Sequence, residues 1–172
     1  MKLVKNAAGR MVPNEVNGKK QTPFKGVGKF RPKGKKANPA IRSCIDYPAD
    51  GNKVQKNLKE ALKKAGLKDG MTISTHHHLR NGDVLTNQLF DTIKSMGIKN
   101  IRWFPSASFP VHSHLIKYLE DGTIHHIEGS MNGPLGRFTT EGKMKGTGVL
   151  RSHGGRYQSV QDGEVHIDIA VI

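Results

Sequence analysis

At 172 residues the chain has the size of one domain with room for a hydrophobic core, and 35% of its residues are apolar. No run approaches the roughly 18 continuous apolar residues that a membrane span needs, the opening MKLVKNAAGRMVPNE lacks the apolar stretch of a secretory signal, and one cysteine, Cys44, excludes an internal disulfide framework or a cysteine-based zinc ribbon. The composition reads as a reduced, soluble, cytoplasmic protein.

The net charge of +14 first suggests a nucleic-acid partner, but it is unevenly spread. Residues 1–42 hold twelve Lys/Arg against Glu15 alone, a net +11, whereas residues 43–172 hold sixteen against thirteen Asp/Glu, a net +3. The first 42 residues are also rich in turn formers (Pro13, Pro23, Pro32, Pro39, Gly9, Gly18, Gly26, Gly28, Gly34) and show no helical or alternating apolar period. They read as an extended basic arm whose anchors are Val12, Phe24, Val27 and Phe30. A disordered tail, an arm wrapping its own or another subunit, and a nucleic-acid arm all fit this pattern. The scarcity of aromatics among the charges counts against the last.

Beyond the arm, Val54, Leu58, Ala61, Leu62 and Ala65 share one face of a helix expected over 53–65, with Asn52 as cap and Gly66 just past its end. After the turn LKDG, 71–75 reads as a strand entering His76-His77-His78. Asp83 caps a helix over 84–96 that buries Leu85, Leu89, Ile93 and Met96 and stops at Gly97. A strand over 100–105, a short helix near 111–120 opened by Pro110, and a strand over 123–127 follow. The stretch from Gly129 to Gly148 is glycine-rich with no long element. Residues 148–152 form a short strand, and Val165, Ile167, Ile169 and Val171 alternate in a last one. Strands alternating with helices predict an α/β fold built on an open, mostly parallel sheet. Two units are expected, the arm over 1–42 and an α/β domain over 43–172. A strand ending the chain with no cap behind it suggests a domain incomplete at its C-terminus.

In such a sheet ligands collect outside the carboxyl ends of the strands. The segments there are all polar: His76-His77-His78 with Arg80-Asn81-Gly82-Asp83, then Ser106-Ala107-Ser108 with His112 and His114, then Ser130-Met131-Asn132-Gly133, and His153-Gly154-Gly155-Arg156. Glycines let a ligand approach backbone donors, helix N-termini favour anions, and Arg80 and Arg156 each suit a carboxylate gripped by two hydrogen bonds. The alternative is a set of ordinary turn glycines and caps.

Other chemistries find less support. Adjacent strand residues face opposite ways, so His76 and His78 share a side and His77 turns away, as do His125 and His126 from each other; no metal-ligand spacing results. Cys44 has no neighbouring histidine to activate it. Asp168, within the apolar last strand, calls for an Arg or His partner from the rim. No nucleophile triad order, phosphate-binding loop or dinucleotide fingerprint is present.

The run GLKDGMTISTHHHLRNGD at 66–83 closely resembles the citrate lyase alpha chains, the citrate CoA-transferase subunits. So do MGIKNI at 96–101, SASFPVHSHL at 106–115, MNGPLGRF at 131–138, SHGGR at 152–156, VHIDIAVI at 165–172 and, in the arm, GRMVPNEVNGKKQTPFKG. The resemblance implies a CoA-transferase-type α/β fold of two similar halves, of which this chain would hold the arm and most of the first. It implies exchange of acetyl for citryl on an acyl-carrier thioester, the thiol belonging to a CoA-derived prosthetic group on a separate subunit and not to this chain. It implies as partners a beta (lyase) and a gamma (acyl carrier) subunit in a hetero-oligomeric complex. The residues expected to bind substrate are His76, His77, His78, Arg80, Asn81 and Gly82, with Asn132, Gly133, His153, Gly154 and Gly155 behind them. No nucleophile is assigned: in related CoA-transferases the attacking glutamate lies in the other half, whereas the resemblance to citrate transferases implies direct carboxylate exchange through a mixed anhydride, and a portion this short is expected to be inactive alone. A basic nucleic-acid-binding module and an inactive fragment are the competing readings.

Overall fold

The structure, a computed structural model, describes residues 2–24, 52–77 and 79–172. The first of these segments is not simply extended. Strand β1 (Leu3–Lys5) pairs antiparallel with β2 (Met11–Pro13), and β3 (Glu15–Val16) with β4 (Lys19–Lys20). The second hairpin turns at Asn17 (φ 47°) and Gly18 (φ 77°), both left-handed, which is the Asn-Gly signature of a two-residue hairpin. The expectations for Val27, Phe30 and Cys44 lie outside the described residues.

Helix α1 (Leu58–Lys64) begins five residues later than its apolar spacing suggests. Asn57 accepts the Glu60 N–H and caps it, while Asn52 accepts the N–H of Val54, whose side chain is 84% exposed instead of packed. Next come β5 (Thr72–Thr75), a 3-10 turn at Arg80–Gly82, α2 (Leu85–Ser95) and β6 (Ile101–Pro105). As expected, Asp83 caps α2, accepting from Thr86 N (3.3 Å) and Thr86 Oγ1 (2.8 Å), but Leu85 stays exposed. A 3-10 helix over Pro110–Leu115 runs into α3 (Ile116–Glu120), and β7 (Ile124–Gly129) follows.

Two helices occupy places the sequence left as loop or did not mark. Helix α4 (Gly133–Thr140) starts with Pro134 in its first turn and buries Leu135 and Phe138. After β8 (Thr147–Leu150), Ser152 accepts the Gly155 N–H and caps α5 (His153–Gln161), so β8 stops short of residue 152. The last strand, β9 (Ile169–Val171), is shorter than its alternation, because Val165 N–H is taken by Ser159 O in the turn after α5.

The five strands β5–β9 form one sheet in the order β8-β7-β6-β5-β9, all pairs parallel. From β5 the chain steps outward to β8 and then returns to the other side of β5, so the direction of winding reverses between β5 and β9. With right-handed crossovers such a reversal moves the connecting helix to the opposite face. Ile73 and Trp103 sit in register on one face, where Trp103 meets the Phe90 ring of α2 edge-on at 5.4 Å. Their neighbours Ser74 and Phe104 face the other way, toward Arg156 of α5. The core lies on the Trp103 face, with Ile73, Leu89, Phe90, Ile93, Leu119 and Ile127 fully buried.

Candidate functional site

A reversal of winding in a parallel sheet opens a crevice at the carboxyl ends of the two diverging strands, the usual ligand position in this architecture. Every expected rim segment among the described residues does follow a strand end. His76 and His77 follow β5, Ser106–Phe109 follow β6, Ser130–Asn132 follow β7, and Arg151–His153 follow β8.

The rim is knitted together by its serines. Ser106, 1% exposed, accepts the His77 N–H at 3.1 Å and is also hydrogen-bonded to His77 Nδ1. Ser108 N–H donates to Ser130 O at 2.9 Å, and its hydroxyl accepts the Asn132 N–H at 3.2 Å. Because β5 ends at Thr75, strand alternation no longer governs the histidines. The rings of His76 and His77 do not diverge but lie 5.1 Å apart; His78 is outside the described residues. His153 reaches the same place from α5, its ring edge-on to His77 at 5.9 Å, and Phe109 closes the group at 5.2 Å from His77. Three of the expected residues therefore meet, drawn from the segments after β5 and β8.

Backbone donors accompany them. In the first turn of α5, Gly155 N–H goes to Ser152 Oγ and Arg156 N–H to Ser152 O, which leaves the N–H groups of His153 and Gly154 without an intrahelical acceptor. A Cβ on Gly154 would meet nothing, so this side of the helix end is open. Arg80 is exposed and sits at φ 49°, a left-handed conformation uncommon outside glycine.

Other expected residues do different work. Asn81 Oδ1 accepts the Val111 N–H at 2.8 Å and ties the Arg80 turn to the 3-10 helix, and Gly82 N–H is used by Leu79 O. Gly133 is required for backbone reasons, with φ 63° and Pro110 Cγ only 3.2 Å from where a Cβ would stand. Asn132 and Gly133 line a cavity of about 510 Å³ between α4 and β8, with Arg137, Thr140 and Leu150.

Arg156 has structural partners through Nη2. Its guanidinium donates to Phe104 O (2.9 Å) and Ser74 Oγ (3.2 Å) and lies 4.4 Å from the Phe104 ring centroid, fastening α5 to the sheet. His112 is also structural. It is 1% exposed, accepts the Phe109 N–H through Nδ1 and donates through Nε2 to Asp83 (3.1 Å); burial lowers its pKa, the Asp83 carboxylate opposing. His114 pairs with Asp91 on the surface. Asp168 finds its partner in the Thr72 N–H (2.7 Å) and in His166 at 3.5 Å, not in a rim residue.

The model of the family described as citrate lyase, alpha subunit, matches residues 51–172. The chain belongs to the citrate lyase alpha subunit family. The citrate lyase alpha chain of Escherichia coli (strain K12) is 38% identical over 125 residues, which is 72% of this chain and 24% of that one. That of Haemophilus influenzae is 35% identical over 129 residues, 74% of this chain and 26% of that one. A crystal structure of the citrate lyase alpha subunit of Streptococcus mutans, in complex with citrate, matches with a TM-score of 0.76 at 34% identity, over 96% of this chain and 32% of that one. The chain thus spans about a quarter of the length of these curated relatives. The whole of the arm, residues 1–42, lies outside the citrate lyase family match, which starts at residue 51.

Sequence reasoning passed over one charged cluster in this citrate lyase alpha sequence. Glu128, near the end of β7 and 1% exposed, accepts from His126 Nε2 (2.9 Å), Arg151 Nε (2.5 Å) and Arg102. Burial pushes its carboxyl up, but these three donors outweigh that and hold its pKa at about 2. His126 is lowered, by burial first, with the Glu128 hydrogen bond opposing. The available signal was one acid and one arginine in neighbouring apolar strands, IHHIEG and IRWFP. Arg151 also donates to Glu164 at 3.1 Å and leads directly into Ser152, the cap of α5, so the cluster braces the rim from below.

Proposed function

We propose that this chain forms the carboxylate-binding rim of a citrate transferase, the step in which citrate displaces acetate from a carrier-bound acetyl thioester to give a citryl thioester. The meeting of His76, His77 and His153 beside the open N–H groups of α5, at the reversal of winding, carries the reading. Citrate is a small tricarboxylate, and this corner offers what one needs: imidazoles, backbone donors at the positive end of a helix, and the exposed Arg80 guanidinium nearby in sequence. The citrate-bound relative and the family match support the same substrate class.

In the exchange a citrate carboxylate attacks the acetyl carbonyl and the thiolate leaves; the thiolate then attacks the mixed anhydride, giving citryl thioester and free acetate. A thiol-bearing, CoA-derived group carried by a separate acyl carrier subunit supplies the thioester. This chain's share is to hold citrate's other carboxylates and to place N–H donors where negative charge develops on the carbonyl oxygen. Its own hydroxyls are not needed as nucleophiles, and Ser106 and Ser108 are too buried to serve. Acyl carrier and lyase subunits are the proposed partners in the cytoplasm, and residues 43–172 the proposed first domain. Among the described residues no helix is long and apolar enough to cross a membrane, and no three His, Cys, Asp or Glu side chains are placed to hold a metal ion.

Arg80→Ala should weaken citrate binding about tenfold, the size of one lost charge-assisted contact, with the fold unchanged because the side chain is exposed. Calorimetric titration of citrate into the two proteins measures this. Equal affinities would remove Arg80 from the site.

A further inference from the structure

We propose that Ser106 is a positioning residue that locks the His77 imidazole into a single neutral tautomer, hydrogen on Nε2, and thereby makes His77 a donor toward a bound carboxylate. The second half of this statement rests on the reading of the rim as a citrate site; the first does not.

A serine hydroxyl has one hydrogen and two lone pairs. Ser106 Oγ already accepts the His77 backbone N–H at 3.1 Å, and the same oxygen is hydrogen-bonded to Nδ1 of that residue's ring. If Nδ1 carried the hydrogen, it would occupy the second lone pair. The hydroxyl hydrogen would then have no acceptor among the described residues, at a position 1% exposed. A buried donor left unmade is expensive, so this arrangement loses. With Nδ1 bare, the hydroxyl donates to it and both groups are satisfied. In a neutral imidazole the remaining hydrogen then sits on Nε2, on the far side of the ring from Ser106.

The anchor itself is rigid. Ser106 is the residue after β6, and its own N–H donates to Thr75 O at 3.0 Å, extending the β5–β6 ladder by one step. The ring plane is confined by Phe109 at 5.2 Å and by His153 at 5.9 Å. The tautomer matters because the opposite one would direct a nitrogen lone pair, not an N–H, at an anion.

The test is nitrogen-15 NMR of the histidine side chains in the 172-residue chain, at a pH where imidazole is neutral. In the wild type His77 should show a bare Nδ1 and a protonated Nε2. Ser106→Ala should move the two resonances toward each other as the tautomers mix, and Ser106→Thr, which keeps the hydroxyl, should restore the separation. A wild-type His77 protonated on Nδ1, or an unchanged single tautomer in folded Ser106→Ala, overturns the proposal, and the wild-type spectrum decides the matter even if the alanine variant fails to fold. Citrate titration separates the two halves. Ser106→Ala should weaken citrate binding about tenfold, with Ser106→Thr closer to wild type. A tautomer that mixes while citrate affinity is unchanged in both Ser106→Ala and His77→Gln would keep Ser106's role and remove the ligand.

Discussion

Glu128→Ala should destabilise the chain by about 3–5 kcal/mol, the range measured when one partner of a buried ion pair is removed. The carboxylate is 1% exposed and is the shared acceptor of Arg102, Arg151 and His126. Without it two guanidinium groups face each other's charge under the rim, and His126 Nε2–H loses its acceptor. Since small domains have only about 5–15 kcal/mol in all, a large share of the stability goes. Denaturant unfolding should show the midpoint falling with the slope unchanged. A loss below about 1 kcal/mol would mean that solvent already screens the cluster.

The same group sets an acid limit. Its folded pKa, about 2, lies below the ordinary 4.5, so its stabilisation is complete above pH 4.5 and is lost as the pH falls from there toward 2. The shift corresponds to about 3 kcal/mol in the fully developed limit. Glu128→Gln, unable to ionise, should flatten this part of the stability–pH curve while lowering its plateau.

Trp103→Ala should cost a similar amount, about 3–5 kcal/mol, by a different route. The indole is fully buried, packs edge-on against Phe90 and donates from Nε1 to Thr75 Oγ1 at 3.0 Å. Truncation opens a cavity in the main core and leaves a buried hydroxyl without that donor. Thr75 is the residue before His76, so the damage reaches the rim as well as the core. Trp103→Phe, which drops the N–H and a part of the ring but keeps most of the volume, should cost clearly less. Circular dichroism during denaturant unfolding compares the three proteins; equal losses for Phe and Ala would show that the hydrogen bond, not the packing, dominates.

How far the sequence reveals this architecture depends on what each element is made of. The α2 helix and β5–β7 announce themselves because their apolar period is strong and their ends carry caps or glycines. Helices α4 and α5 do not. Gly133, Gly136, Gly154 and Gly155 resemble loop residues, and α5 buries almost nothing apolar, Ser159 being its only buried residue. Their real signals are short-range: Pro134 with Leu135 and Phe138 three apart, and Ser152 as a cap. The Asn17-Gly18 turn is equally local and was hidden by the basic composition around it.

At the site, chain order alone is enough to place the rim segments at one end of the sheet. It cannot say which way a side chain turns there. Arg156 and His112 carry the right chemistry for a ligand, yet one donates through Nη2 to Phe104 O and the other pairs with Asp83. The histidine run departs from its expected alternation for a related reason, since strand alternation stops where the strand does, at Thr75. Ser106, the residue that organises His77, reads only as one polar member of its rim segment until the fold buries it against His77.

The central claim is that the ends of β5, β6 and β8 form one carboxylate-binding corner. Titrating citrate while following the ring resonances of the nine histidines tests it most directly. Saturable shifts are expected at His76, His77 and His153, with His114 and His166 still and Arg80→Ala moving the same resonances at higher citrate. Shifts that never saturate, or that fall on the surface histidines and leave these three unmoved, would contradict it.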